Sequence, residues 1–259
     1  MGLRTRYVMM KAYKAYIDVL IAQMTKIRDA QDDVIEMATD ALADALEQGK
    51  LLYFWGPGGH SSIFSEDVLY REGELAYINP ILDTNISLSH GALKEVNYFE
   101  RIGGLGRAII KYHRVSKGDV LVVGSPYGVN PVCIEGTLYA KQQGAVIIAV
   151  TSPQFSDNHD NANTMHPSGK TLSKIADICV NSFSLADDLA LAIEGFDQKV
   201  GPVGTILQLT ALKCLTTYTI EKLVQRGARV PVWRNALVKG GPEFNDSYIN
   251  DLWCRVKSL

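Results

Sequence analysis

A chain of 259 residues with 47% hydrophobic and 21% charged side chains is ordinary for a soluble globular enzyme or binding protein of one embellished domain. A net charge of −2 argues against a general nucleic-acid binder. No apolar run approaches the ~18 residues of a membrane span. Arg4 and Arg6 are followed by Lys11, Lys14 and Asp18, where a secretory signal would need an unbroken apolar core. The expectation is a cytoplasmic protein. Cys133, Cys179, Cys214 and Cys254 are too far apart in sequence for a C-x-x-C motif and lie in apolar stretches, as buried free thiols do.

Residues 7–49 read as helix. Ile17, Leu20, Ile21, Met24 and Ile27 form one apolar stripe, and Ile35, Ala38, Leu42 and Leu46 a second. Asp29 to Asp33 marks either a cap between two helices or the middle of one. Six bases and one acid precede Asp29, whereas seven acids and no base fill 29–48. That segregation describes either two solvated faces or an antiparallel contact between subunits.

From Leu51 the pattern alternates. Short apolar runs at Leu51–Trp55, Leu75–Ile78, Val120–Val123, Val146–Val150 and Ile178–Val180 have the character of strands buried on both faces. Helical patterns at Ile63–Arg71, Leu105–Arg114, Val132–Gln143 and Thr171–Ala176 separate them. Such alternation predicts an α/β fold, a parallel sheet with helices on both faces and ligands at the carboxyl ends of the strands. Two polar turns fall at those ends. The first is Gly56-Pro-Gly-Gly-His-Ser-Ser62, which runs into a helix carrying Glu66. The second is Ser125-Pro-Tyr-Gly-Val-Asn130. Glycine admits close approach of backbone to ligand, and a helix N-terminus attracts anions. Two long connections follow strands: residues 80–103, with His90 and Glu100, and the polar segment 152–170, with His159 and His166. Lys199-Val-Gly-Pro-Val-Gly-Thr205 reads as a third glycine turn, with Pro202 in the first turn of an apolar helix at about Ile206–Val224. A loop and a last helix, Tyr248–Val256, close the chain.

The order and spacing of these turns resemble the sugar isomerase (SIS) domain. Gly56–Ser62 with Ser65-Glu66 is similar to the first motif of phosphoheptose-isomerase-like members, and Ser125–Pro131, Ala140–Gly144 and Val150-Thr-Ser152 to later ones. His166-Pro-Ser-Gly-Lys170 and Lys199–Pro202 resemble a phosphosugar-isomerase subgroup across nearly the whole chain. The resemblance implies a three-layer αβα core with a five-stranded parallel flavodoxin-like sheet at residues 51–230. An N-terminal helical extension (1–50) would serve oligomer contact, and 231–259 would form a C-terminal loop and helix. It also implies a homodimer or homotetramer and a phosphorylated or otherwise anionic sugar at the strand ends. Gly58, Gly59, Ser61 and Ser62 would line the first turn, Ser125, Tyr127, Gly128 and Asn130 the second, and Thr151 and Ser152 the third. Glu66 matches the helix glutamate that acts as acid/base in phosphoheptose isomerases. There are two departures. Pro126 and Tyr127 stand in the second turn where a phosphate grip is usual, and Gln208 and Thr210 stand where a catalytic histidine is usual.

Aldose–ketose isomerisation needs a base that moves a proton between neighbouring carbons and a partner that serves the oxygens. Glu66 is the first candidate base, and His60, inside the turn, the proton shuttle or substrate ligand. His166 and Lys199 are further candidate substrate ligands. His159 and His166 with Asp157 and Asp160 fit no known metal-ligand spacing. No organic cofactor is indicated. Two other readings stand beside isomerisation: a lyase or etherase using the same base, and a non-catalytic sugar-phosphate sensor.

Overall fold

The computed structural model describes residues 11–156 and 165–259. Helices α1 (Ala12–Asp29) and α2 (Asp32–Glu47) precede β1 (Leu52–Trp55), the short α3 (Ser62–Glu66) and β2 (Ile78–Ile81). Three single turns of 3₁₀ helix at Thr84–Ile86, Leu88–His90 and Phe99–Arg101 surround α4 (Ala92–Asn97). Next come α5 (Leu105–His113), β3 (Val120–Gly124), α6 (Pro131–Gln142), β4 (Val146–Thr151) and α7 (Pro153–Ser156). The chain continues through α8 (Leu172–Ile175), β5 (Ile178–Asn181), β6 (Leu189–Ala192), β7 (Lys199–Pro202), α9 (Gly204–Gln225) and α10 (Gly241–Leu252).

Five strands pair in parallel in the order β2-β1-β3-β4-β5. Alternate residues divide between the faces, as a period of two requires. Leu52, Phe54, Val120, Val122, Ile148 and Val150 meet α2 and α9 on one side. Trp55, Leu121, Val123, Ile147 and Ala149 meet α5 and α6 on the other. The result is the three-layer αβα fold. The chain reverses direction across the sheet between β1 and β3, and such a switch point opens a crevice beyond the strand ends.

The N-terminal region is two helices, broken at Ala30-Gln31. The Gln31 amide accounts for the break. It donates to the Asn181 carbonyl at 3.0 Å and accepts from the Asn181 N–H at 2.9 Å, closing the sheet edge at β5. Part of the acidic run of α2 is paired within the chain. Lys222 lies 2.6 Å from both Glu36 and Asp40, and Arg226 reaches Asp40, Asp44 and Glu47 at 2.6–2.7 Å. These cations occupy the last turns of α9, where a positive charge also suits the helix dipole.

Several boundaries differ from expectation. The second strand runs Ile78–Ile81, because Leu75 bridges to Val232 and Ala76 and Tyr77 join a separate cluster with Trp233, Tyr248 and Leu252. The glycine turn around Lys199 is strand β7, paired antiparallel with β6, so Pro202 ends a strand and does not start a helix. The last helix begins at Gly241, with a proline in its first turn, and not at Tyr248. The helix after the first turn ends at Glu66, well short of Arg71. Among the described residues no helix is long and apolar enough to cross a membrane.

Candidate functional site

The first turn leaves β1 at Trp55 and bends sharply into α3. The Gly56 N–H donates to Ser65 Oγ at 2.8 Å, which ties the start of the turn to the helix it feeds. The Ser62 hydroxyl lies 3.0 Å from the Gly59 carbonyl and 3.1 Å from Glu66 Oε1, with one proton to give to either. Gly56, Ser62 and Glu66 form one wall of a cavity of about 210 Å³ beyond the ends of β1 and β2; Asp83, Thr84, Ile86 and Ser87 form another. Glu66 and His60 are exposed, and Ser61 is half-buried at the N-cap of α3.

Two further carboxyl groups pack against the first turn. Glu100, read from sequence as a loop residue, accepts the Gly59 N–H at 2.8 Å through Oε1 and the Asn130 amide at 3.0 Å through Oε2. Asn130 also donates to the Pro57 carbonyl at 3.2 Å and caps α6 by accepting the Cys133 N–H at 2.8 Å. Glu100 therefore joins the first turn to the second. Behind it lies Glu95, fully buried on α4 beside Gly59 and Glu100. The two glycines are needed for this approach. A Cβ on Gly58 would sit 2.8 Å from Glu100 Oε1, and one on Gly59 would overlap Glu95 and Leu88. Burial, then the charge of Glu100, pushes the Glu95 carboxyl up to about 8. Burial also raises Glu100, against the pull of the Gly59 N–H. Two adjacent carboxyls in low dielectric hold one proton between them at neutral pH.

The second turn is closed on itself. Gly128 takes φ +59°, and its N–H donates to Ser125 Oγ at 3.0 Å. Thr151 and Ser152 are fully buried; Ser152 Oγ donates to the Ser184 carbonyl at 2.9 Å, and Thr151 Oγ1 lies 3.5 Å from the Pro126 carbonyl. These hydroxyls thus serve the chain's own backbone. The Tyr127 ring stacks on Phe155 at 4.1 Å, and its hydroxyl donates to Asp188 Oδ2 at 3.3 Å. Burial and then the Asp188 charge raise the phenol. Asp188 in turn accepts the Gly204 N–H at 2.6 Å and so caps α9.

The remaining candidates are dispersed. His166 Nδ1 lies 2.7 Å from Ser168 Oγ, and Nε2 lies 3.5 Å from Glu135 Oε1. Lys199 pairs with Asp187 at 2.6 Å on the exposed hairpin, so it is not a free cation beside the α9 N-terminus. His90 is exposed, with Nδ1 2.9 Å from Ser89 Oγ. His159, Asp157 and Asp160 lie outside the described residues. Gln208 is buried, and its amide nitrogen has no acceptor among the described residues. A larger groove, about 770 Å³, runs between α1, α2 and α9 and is lined by Ile27, Ile35, Ile206, Leu209, Thr210 and Tyr218 among others; no candidate catalytic or ligand residue lines it.

Sequence reasoning missed Glu95 and undervalued Glu100. An acid in a polar connection carries no local mark of burial; only the fold of residues 82–104 brings both onto the first turn.

The model of the SIS domain matches residues 15–152, more than half of the chain. A UPF0309 protein of Shouchella clausii is 31% identical over 238 residues, covering 92% of this chain and 95% of that one. A UPF0309 protein of Brucella canis is 36% identical over 234 residues, covering 90% and 93%. Among solved structures, a phosphoheptose isomerase from Francisella tularensis superposes with a TM-score of 0.48 at 14% identity, covering 80% of this chain and 94% of that one. With the domain matched across the first turn, the switch point and the second turn, and with relatives aligned over nearly their whole length, this chain belongs to the SIS domain family and, within it, to the UPF0309 proteins.

Proposed function

We propose that the protein is a sugar-converting enzyme, an aldose–ketose isomerase in which Glu66 moves the carbon-bound proton. One observation carries this reading. Glu66, beside the Ser62 hydroxyl, forms the wall of the cavity at the strand ends, next to the glycine turn of a SIS domain. A carboxylate there takes a proton from the carbon beside the carbonyl and returns it to the neighbouring carbon. The sugar oxygens need a second group to exchange protons with the enediol. His60, exposed within the turn, fills that role. The phosphorylated substrates implied by the family define the first panel to test, together with the corresponding free sugars.

A second reading keeps the same base: in a lyase Glu66 takes the carbon-bound proton and an oxygen substituent is expelled from the neighbouring carbon. One experiment separates the two. The chain is incubated in deuterated water with pentoses, hexoses and their phosphates, and followed by NMR. Deuterium at C2 with aldose–ketose interconversion supports the isomerase, and a released fragment supports the lyase. Unchanged turnover in Glu66→Gln would remove Glu66 from the chemistry in either case.

A further inference from the structure

A separate cavity of about 300 Å³ shares no lining residue with the one at the strand ends. Tyr70, Glu72, Trp233, Arg234 and Asn245 stand in its walls. Two distant segments meet there, because Leu75 bridges to Val232 and the Gly73 N–H donates to the Trp233 carbonyl at 2.9 Å. The volume is that of a site for one small molecule.

The cavity is built around Arg234. Asn245, only 1% exposed, accepts the Arg234 N–H at 2.9 Å and donates to the Arg234 carbonyl at 2.9 Å, which fixes the backbone. The guanidinium lies over the Phe244 ring, with Cζ 3.6 Å from the centroid. Stacking holds the planar group flat and leaves its N–H edge to fork onto an oxyanion. Arg234 has no carboxylate partner among the described residues. Trp233 beside it is 4% exposed, and its indole N–H has no acceptor among the described residues. Unlike the sealed indole N–H of Trp55, it keeps contact with solvent. A donor in that state on a cavity wall is matched by a ligand that accepts. Tyr70 takes φ +46°, a backbone conformation rare for a bulky residue, and its ring stands 4.8 Å from that of Trp233. Strain of this kind collects at ligand sites. Glu72, without a cation partner among the described residues, adds an acceptor for hydroxyl groups.

We propose that this cavity is a second small-molecule site, which takes a small hydroxylated organic anion, a carboxylate or a phosphate ester. The anionic group forks onto Arg234 and accepts the Trp233 indole N–H. The ligand's hydroxyls donate to Glu72, and its C–H face rests on the Tyr70 ring. Each protein group is held before the ligand arrives, so little ordering cost falls on binding.

The test is ¹⁹F NMR of the full chain carrying 5-fluorotryptophan, titrated with gluconate, glucose 6-phosphate, glucose and inorganic phosphate. The chain has 3 tryptophans, and single Trp→Phe variants assign their signals. Gluconate or glucose 6-phosphate should shift the Trp233 signal saturably, and the tighter of the two identifies the anionic group. Glucose and inorganic phosphate, each with half of the recognised chemistry, should bind more weakly. Arg234→Gln should weaken the tighter ligand by about tenfold or more, the loss expected for a charge-assisted hydrogen bond. The proposal is overturned by a Trp233 signal that neither organic anion moves at millimolar concentration, or by an affinity unchanged in Arg234→Gln. Glucose or inorganic phosphate binding as tightly as both organic anions overturns the ligand class. Should Arg234→Gln lose the circular dichroism of the parent, Arg234→Lys takes its place; it keeps the charge without the planar fork and should weaken binding by a smaller factor.

Discussion

The two polar turns at the strand ends have similar composition and opposite construction. Gly56–Ser62 is open: its glycines admit groups from distant segments, and its Gly59 N–H is satisfied by Glu100, 41 residues away in sequence. The start of Ser125–Asn130 is closed: the Ser125 hydroxyl accepts the Gly128 N–H three residues on, and the Tyr127 ring stacks on Phe155 with its hydroxyl on Asp188. The difference shows why a motif of small and hydroxyl-bearing residues does not by itself define a ligand site. What counts is whether its donors face outward after the neighbouring segments have packed. On the proposed reading the chemistry falls to the open turn, where Glu66 and Ser62 line the cavity.

The comparison breaks most decisively at Glu66. Glu66→Gln should lower the rate of solvent-deuterium incorporation by about 10²–10⁴-fold, the usual contribution of a positioned acid/base. Because the side chain is exposed, the urea midpoint should stay within roughly 0.5 kcal/mol of the parent. Next in size are the two turn glycines. Gly59→Ala drives a methyl into buried Glu95 and Leu88 and should cost about 3 kcal/mol by urea unfolding, the upper range for overpacking. Gly128→Ala should cost roughly 2 kcal/mol, from its left-handed φ of +59° and the Leu172 Cβ only 2.8 Å away. If the order is reversed, the second turn and not the first is the tightly determined one.

A pH series sharpens the open turn further. Burial and the Glu100 charge hold the Glu95 proton up to about 8, against 4.5 for a free glutamate. Between those values the native state binds a proton that the unfolded chain has released. Stability therefore falls as pH rises from about 4.5 to 8 and levels off above. Glu95→Gln should flatten that limb in denaturant midpoints measured across the range; an unaltered slope would mean the pair does not share a proton. His113 acts in the opposite sense. Burial lowers it to about 4, so its contribution falls as pH drops below 6.5, and the parent curve bends down at both ends. The smallest effect belongs to the closed turn. Ser125→Ala removes one buried hydrogen bond to Gly128 and should cost about 1 kcal/mol of stability while leaving sugar affinity unchanged in titration.

The sheet was legible because parallel strands buried on both faces must be runs of apolar, branched residues, as Val120–Val123 and Val146–Val150 are. The second strand was misplaced by three residues because Leu75, Ala76 and Tyr77 are just as apolar but pack with Trp233 and Tyr248 in the C-terminal cluster. The β6–β7 hairpin was missed because its strands are four residues each, half-exposed and interrupted by Gly201. Within the site, the glycine turn and Glu66 could be read from local order, since strand, turn and helix are continuous there. Glu95 and Glu100 could not, because whether an acid in a connection is solvated or buried is set by what folds over it.

The amino-acid order by itself determined the layers, the parallel strands, the glycine turns at their ends and the acid one helical turn beyond the first. All of these follow from hydrophobic periodicity and backbone geometry acting over a few residues. Tertiary structure alone decided which distant groups meet the first turn. It placed Glu100 on the Gly59 N–H, buried Glu95 behind it and turned the second set of hydroxyls inward. Those outcomes depend on desolvation and on hydrogen bonds between residues tens of positions apart, and no local pattern encodes either.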